Sequence, residues 1–153
     1  MNTSGEKTGA KMNNQLKIIV DADAIIAQAN PDDSHYQKAV EISKHLTDIK
    51  AQIYYPVTAI AESNAYIQRV LKSTASAYHT AQVFIDPNLQ VVEVDQNTIK
   101  NALNFFKPTT SQKNTLFDCI IAALAIEYRA DAVFSFDKFY PKNGFKLASD
   151  LQV

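Results

Sequence analysis

The chain reads as a three-layer α/β/α sandwich built on a central, mainly parallel sheet, and three observations predict it. Short β-branched runs alternate with helix-length stretches through the body of the sequence. The first of those runs ends abruptly at an aspartate, and one later helical stretch is apolar around its whole circumference, as a helix buried on most sides must be. Strands separated by helices pair in parallel through right-handed crossovers, which puts helices on both faces of the sheet.

Residues 1–15 are mostly Asn, Thr, Ser, Gly and Lys and offer too little apolar surface to offset the entropy of ordering, so a flexible polar tail is expected there. Met12 is a second candidate start. Residues 16–153 are expected to form a single domain, a natural size for one hydrophobic core. Its first strand is predicted at 17–20, apolar and β-branched up to Asp21. A short helix around 24–27 should end near Asn30, because the following Pro31 disfavours helix in the residue before it. Ser34 is placed to cap a second helix, in which Tyr36, Ala39, Val40, Ile42 and Leu46 recur near the helical period.

A second strand is predicted at 52–55, closed by Pro56, then helices at 58–71 and 73–84, the latter broken by Asp86-Pro87-Asn88. A third strand at 90–94 leads to a helix capped by Asp95 and running to about 106. The polar stretch 107–114 has a lysine near each end and reads as a solvated loop or a substrate contact. Residues 115–129 form the strongest helical stretch, 132–134 the last clear strand, and the segment from Gly144 is expected to add a short edge strand.

Composition excludes several functions. Fifteen basic against sixteen acidic residues leave a net charge of -1, so no global positive field draws the protein to a polyanion or a membrane surface. Two of the three glycines, Gly5 and Gly9, fall in the polar leader, and one glycine in the body cannot build a phosphate-cradling loop. A single cysteine, Cys119, rules out a disulfide framework and multi-cysteine zinc sites and suits a reducing cytoplasm. His35, His45 and His79 lack the paired spacing of a zinc helix. No stretch nears the roughly 20 apolar residues that cross a bilayer.

What remains is acid placement. In an open parallel sheet, ligands bind beyond the carboxyl ends of the strands. Asp21 follows the first strand, Asp137 follows the last, Asp118 lies in the first turn of the helix leading back to that strand, and Glu62 lies on the second turn of the helix after Tyr55; all four fall at that edge. Each alone has a plainer reading: Asp21 as a helix cap, Glu62 as an exposed helix residue, Asp118 in a capping box with Thr115, Asp137 as a turn residue. Together, four carboxylates repel one another unless a cation is present, and an all-oxygen set favours Mg²⁺ or Mn²⁺. The dipole of the Asp118 helix favours an ionised carboxylate at its start.

With those residues in view, the chain resembles the PIN-domain nucleases, and most closely the VapC-like toxins of toxin-antitoxin pairs, over residues 18–147. Ile18-Ile-Val-Asp21-Ala-Asp23 is similar to the family's opening strand and first acid, and Pro56-Val-Thr-Ala-Ile-Ala-Glu62 to its second. Leu116-Phe-Asp118-Cys-Ile-Ile-Ala-Ala resembles the third-acid helix, and Val133-Phe-Ser135-Phe-Asp137-Lys-Phe-Tyr140 the closing segment, with a hydroxyl two places before the fourth acid and an aromatic after it. The resemblance implies a metal-dependent ribonuclease. In it Asp21, Asp118 and Asp137 hold Mg²⁺ or Mn²⁺, Glu62 completes the acidic catalytic site, and Ser135 supports it. It further implies an RNA substrate, a cognate antitoxin and a homodimer. One departure stands out: the family commonly has a small hydroxyl pair after the first acid, where this chain has Ala22-Asp23, so Asp23 either joins the site or points away.

Arg69, Lys72, Lys107, Lys113 and Lys138 are the candidate cations for RNA, weighed against ordinary surface charge. Two rivals stay open. Asp21-Ala-Asp23 also resembles the aspartate pair of haloacid-dehalogenase-type phosphatases, although no downstream acidic pair follows Lys138. A PIN-like module that binds RNA or protein without cutting is the other.

Overall fold

The computed structural model describes residues 14–151, so most of the expected tail, 1–13, lies outside the described residues. The first strand, β1 (Lys17–Val20), is followed by α1 (Ala22–Ala29), which stops at Asn30 before Pro31 as expected. Next comes α2 (Tyr36–Asp48), where Ser34 does not serve as the cap. An Asp33 turn takes that place: its Oδ1 accepts from His35 N at 2.8 Å, and His35 becomes the cap residue with no side-chain bond. Then follow β2 (Gln52–Pro56), α3 (Val57–Arg69) and α4 (Thr74–Val83), the last capped by Ser73.

The third strand, β3 (Gln90–Val92), is shorter than expected, and α5 (Gln96–Ala102) is capped by Asp95 as expected but gives way to turns well before 106. After the 107–114 loop come α6 (Leu116–Glu127), β4 (Ala132–Phe134) and a single turn of helix, α7 (Phe139–Lys142), that the sequence did not announce. The expected strand after Gly144 is only one parallel bridge, Val133 with Leu147, in which Val133 N donates to Lys146 O at 2.9 Å. That contact covers the open edge of β4 without extending the sheet.

The four strands run parallel in the order β3-β2-β1-β4. Going from β1 to β2 to β3 the chain moves one way across the sheet, so right-handed crossovers put α1 to α4 on one face; the return to β4 reverses direction and puts α5 and α6 on the other. Packing agrees, with α1 against α3, α3 against α4 and α5 against α6. The result is a three-layer α/β/α sandwich whose strand order reverses between β1 and β4.

Both β1 and α6 are central because their composition leaves no polar face. Ile18, Ile19 and Val20 are fully buried, and every residue of α6 from Cys119 to Ala125 is buried. The apolar girdle ends one residue sooner than the sequence suggests, for Ile126 is 60% exposed. With only Gly144 (φ 88°) available in the body, α2 and α6 end on Lys50 and Arg129 in the left-handed region (φ 55° and 53°). Ala51 N to Leu46 O at 3.0 Å and Ala130 N to Ala125 O at 2.8 Å close the two helix ends in the usual six-to-one pattern. Among the described residues no helix is long and apolar enough to cross a membrane.

Leu124 has no exposed surface. Truncating it to alanine should lower the unfolding free energy by about 2–5 kcal/mol, while Ile126→Ala should stay within about 0.5 kcal/mol; urea unfolding of the two variants checks the contrast.

Candidate active site

The reversal between β1 and β4 opens a crevice at the carboxyl ends of those strands, the place where α/β sheets bind ligands. Asp21 N donates to Phe134 O at 3.0 Å, so the pairing of β1 with β4 runs one residue past the strands and Asp21 emerges beside Ser135. Asp21 is only 4% exposed. Its Oδ1 accepts from Ala22 N at 2.7 Å, and its Oδ2 accepts from Tyr140 OH at 2.8 Å and lies 3.1 Å from Ser135 Oγ.

Asp23 turns into the same crevice. Its Oδ2 accepts from Phe136 N at 2.8 Å and lies 2.9 Å from Ser135 Oγ. Ser135 is 1% exposed and its Oγ also accepts from Asp137 N at 3.1 Å. A hydroxyl has one proton to donate. Ser135 therefore satisfies one of the two carboxylates at a time, and its contact with the other needs a proton on that acid. Asp23 Oδ1 is buried with no partner at all.

The remaining acids are held from their own elements. Asp118 Oδ2 accepts from Thr115 N at 2.8 Å, and Asp137 accepts from Phe139 N (2.8 Å, Oδ1) and from Asn114 Nδ2 (3.2 Å, Oδ2). The plain readings of Asp21, Asp118 and Asp137 as cap or turn residues are thus correct, and they do not compete with membership of the cluster. Each side chain does both, because capping a helix start at this edge is what fixes the carboxylate there.

Electrostatics tie the cluster together. Burial, then Asp23 and Asp118, raise Asp21 well above the carboxylate range against the opposing bonds from Tyr140 and Ala22. Burial raises Asp23, with Asp137 adding to it. Burial and then Asp118 and Asp23 push Glu62 up to about 7. At Asp118 burial and Asp137 outweigh the lowering by Thr115 N, so the start of α6 does not hold that acid at a low value. Tyr140, fully buried against Asp21, is raised well beyond the usual phenol range, burial first.

Asp21, Asp23, Glu62, Asp118 and Asp137 are thus near enough to act on one another's charge. Among the described residues, however, no three acidic, histidine or cysteine side chains close into a shell around one ion. Asp21, Asp23, Asp118 and Asp137 are each held by protein donors instead. The donor set still suits a hard divalent cation: all oxygen, four acids driven toward their neutral forms by one another and by burial, and a buried carboxylate oxygen without a partner.

Three further residues belong here. Tyr140 was legible only as an aromatic after Asp137, since nothing in the sequence says whether Phe139 or Tyr140 turns inward; the single turn of α7 decides it. Asn114 was read as the end of a loop. Thr58, with Oγ1 buried and unpartnered, stands four residues before Glu62 on the same helical face, a spacing that could have found it. Of the candidate cations, Lys107 and Lys113 flank the loop whose Asn114 reaches Asp137, and Lys138 adjoins Asp137. Arg69 and Lys72 lie beyond the opposite end of α3 from the sheet's carboxyl edge, away from the acids. A groove of about 380 Å³ between α1 and α4, lined among others by Ile25, Tyr55, His79 and Phe84, contains none of the acids and is a separate feature.

Fold and site together define an α/β protein with an acidic pocket at the topological switch point of a parallel sheet. The chain belongs to the PIN domain family of nucleases, whose family model matches residues 18–146. Among solved structures it is similar to VapC20 of Mycobacterium tuberculosis, a sarcin-ricin loop cleaving toxin, at 17% identity and a TM-score of 0.71 over 84% of this chain and 95% of that one. It is also similar to FitAcB of Neisseria gonorrhoeae (15% identity, TM-score 0.62, 88% and 99% covered). A third match is VapBC2 of Rickettsia felis, solved bound to a DNA fragment from its promoter (14%, 0.58, 86% and 96%). At these identities the likeness establishes the fold. No curated protein sequence matches significantly.

The PIN domain match over residues 18–146 sets the phosphatase rival aside.

Because Glu62 is raised when folded, the metal-free protein binds its proton more tightly than the unfolded chain does. The contribution is fully present below the ordinary value of 4.5 and is lost as pH rises through about 7. Thermal melts in EDTA should therefore find Glu62→Gln more stable than wild type at pH 8, with the gap closing toward pH 4.5; a gap independent of pH would contradict this.

Proposed function

We propose that this protein is a Mg²⁺- or Mn²⁺-dependent endoribonuclease and the toxin of a toxin-antitoxin pair, acting in the cytoplasm. One observation supports the reading above the others: acids from four separate segments beside the β1/β4 switch point raise one another's proton affinity, a repulsion that a bound cation would relieve. Membership of the PIN domain family and the sarcin-ricin loop cleaving activity of VapC20 support it.

Asp21, Asp118 and Asp137, with Glu62, would hold the ion. A divalent ion held there would acidify a water for in-line attack on phosphorus and would offset charge on the leaving 3′ oxygen, for a hydrolysis that leaves a 5′-phosphate and a free 3′-hydroxyl. The chain's own groups do the rest. Tyr140 and Ser135 orient Asp21, Asn114 and Phe139 N orient Asp137, and Thr115 N orients Asp118. Glu62, in the same acidic cluster, would be the group to take up the proton of an attacking water. Lys107, Lys113 and Lys138, all exposed at this edge, contact the RNA backbone.

Asp23 acts as a support: through Oδ2 it holds the Ser135 hydroxyl and the Phe136 backbone N–H ahead of Asp137, and its Oδ1 is left without a partner. A cognate antitoxin and a homodimer complete the reading. Exposed Tyr66, Val70, Tyr78, Val83 and Ile85, on α3, α4 and the turns after them, offer apolar surface for such contacts.

Purified protein incubated with single-stranded RNA and Mn²⁺ or Mg²⁺ should cleave it, EDTA should stop the reaction, and Asp118→Asn should slow it by about 100-fold or more. Failure to cut any structured or unstructured RNA would favour a non-catalytic binding module, and cleavage that survives both controls would be a contaminant's. Asp23→Asn should fold normally and bind Mn²⁺ about 10- to 100-fold more weakly, read from the Mn²⁺ dependence of its melting temperature; unchanged affinity would remove Asp23 from the site.

A further inference from the structure

At the rim of the acid pocket two rings from distant segments lie face to face. His35, the cap residue of α2, stacks on Phe136 with ring centroids 4.3 Å apart and planes 4° from parallel. Phe136 sits between Ser135 and Asp137, and its backbone N–H is held by Asp23 at 2.8 Å. Phe134 packs its ring edge-on against Phe136 at 6.3 Å and 71°. His35 is fixed as well: its N–H donates to Asp33 Oδ1 at 2.8 Å and its carbonyl accepts from Ala39 N at 2.8 Å. His35 is exposed overall, so the stack on Phe136 covers its imidazole only in part.

A stack built only to join the α1–α2 connection to the loop after β4 would gain most by being buried. This one stays exposed at His35, while Phe136 adjoins Asp137 and exposed Lys138 follows. Flat aromatic and imidazole surfaces held rigidly beside a phosphodiester site are what unpaired bases stack upon, whatever their sequence.

We propose that His35, backed by Phe136, is a stacking platform for an unpaired nucleobase of the RNA whose phosphate lies at the carboxylates. This rests on the ribonuclease reading and sharpens it: the substrate is a single-stranded or looped stretch with a base free to turn outward, because a base inside a duplex has no face to offer. The pre-set geometry of both rings limits the ordering cost when the base arrives. His35 acts on binding and does not touch the reacting atoms.

The test compares wild type, His35→Ala and His35→Phe on a short single-stranded RNA carrying 2-aminopurine, with cleavage kinetics in Mn²⁺ and fluorescence titrations in an Asp118→Asn background. His35→Ala should raise KM on the order of tenfold with kcat within about twofold, and should lose the quenching of 2-aminopurine seen on binding. His35→Phe should restore both. Equal melting temperatures for the three proteins exclude a folding defect, and a duplex of the same sequence should bind the wild-type and Ala forms alike. Unchanged KM and quenching in His35→Ala, with cleavage intact, would overturn the platform and leave the nuclease reading standing. A loss that His35→Phe fails to restore would reduce the pair to a brace between loops. RNA that is neither bound nor cut by wild type would sink both.

Discussion

Ser135 has one proton to give and two buried carboxylates within reach of its oxygen. Much of the surrounding geometry is arranged about that shortage. Asp21 is supported by Tyr140 from α7 and Ala22 N at the start of α1, while Asp23 leans on the backbone of Phe136. The ends of β1 and β4 and the starts of α1 and α7 are thereby joined at one point. Removing any donor would leave a buried carboxylate short of a partner, a costly state in a low-dielectric setting. Burial and neighbouring charge raise Asp21, Asp23, Glu62 and Asp118 here, at the place where the sheet's winding reverses.

The fold absorbs that cost because the neighbouring elements are unusually apolar. The three inner residues of β1, all of β4 and seven consecutive residues of α6 are buried, and they flank the acid pocket directly. A firm apolar scaffold permits charged groups at its edge to be held in positions they would leave in a looser one. Dual use of the acids serves the same end. A carboxylate that satisfies the first N–H groups of a helix or turn is already ordered, so a cation arriving there meets ligands whose conformational freedom is spent.

The sheet and its order of elements were legible because β-branched runs and helical periods differ sharply in this chain, and the edge position of Asp21, Glu62, Asp118 and Asp137 followed from connectivity alone. Less was legible where side chains choose between local partners. Ser34 and Asp33 both compete to start α2, and the sequence does not say which wins. β3 stops at Val92, short of its pattern, and α5 gives way at Leu103, which is half exposed and offers little packing to extend the helix. Tyr140 and Asn114 reach the site through a single helical turn and a loop, whose side-chain directions no periodicity encodes. Asp23 could be flagged as a departure from its family's pattern, but its grip on Phe136 is a contact across 113 residues and only the fold reveals it.

The acid cluster joins residues far apart in sequence: Asp21 is held by Ser135 and Tyr140, and β1 is paired on one side by β4. Any species that lacks the segment from Ser135 to Tyr140 leaves Asp21 without two of its partners, so the order of this edge depends on contacts that span 114 and 119 residues and that no local segment can form by itself.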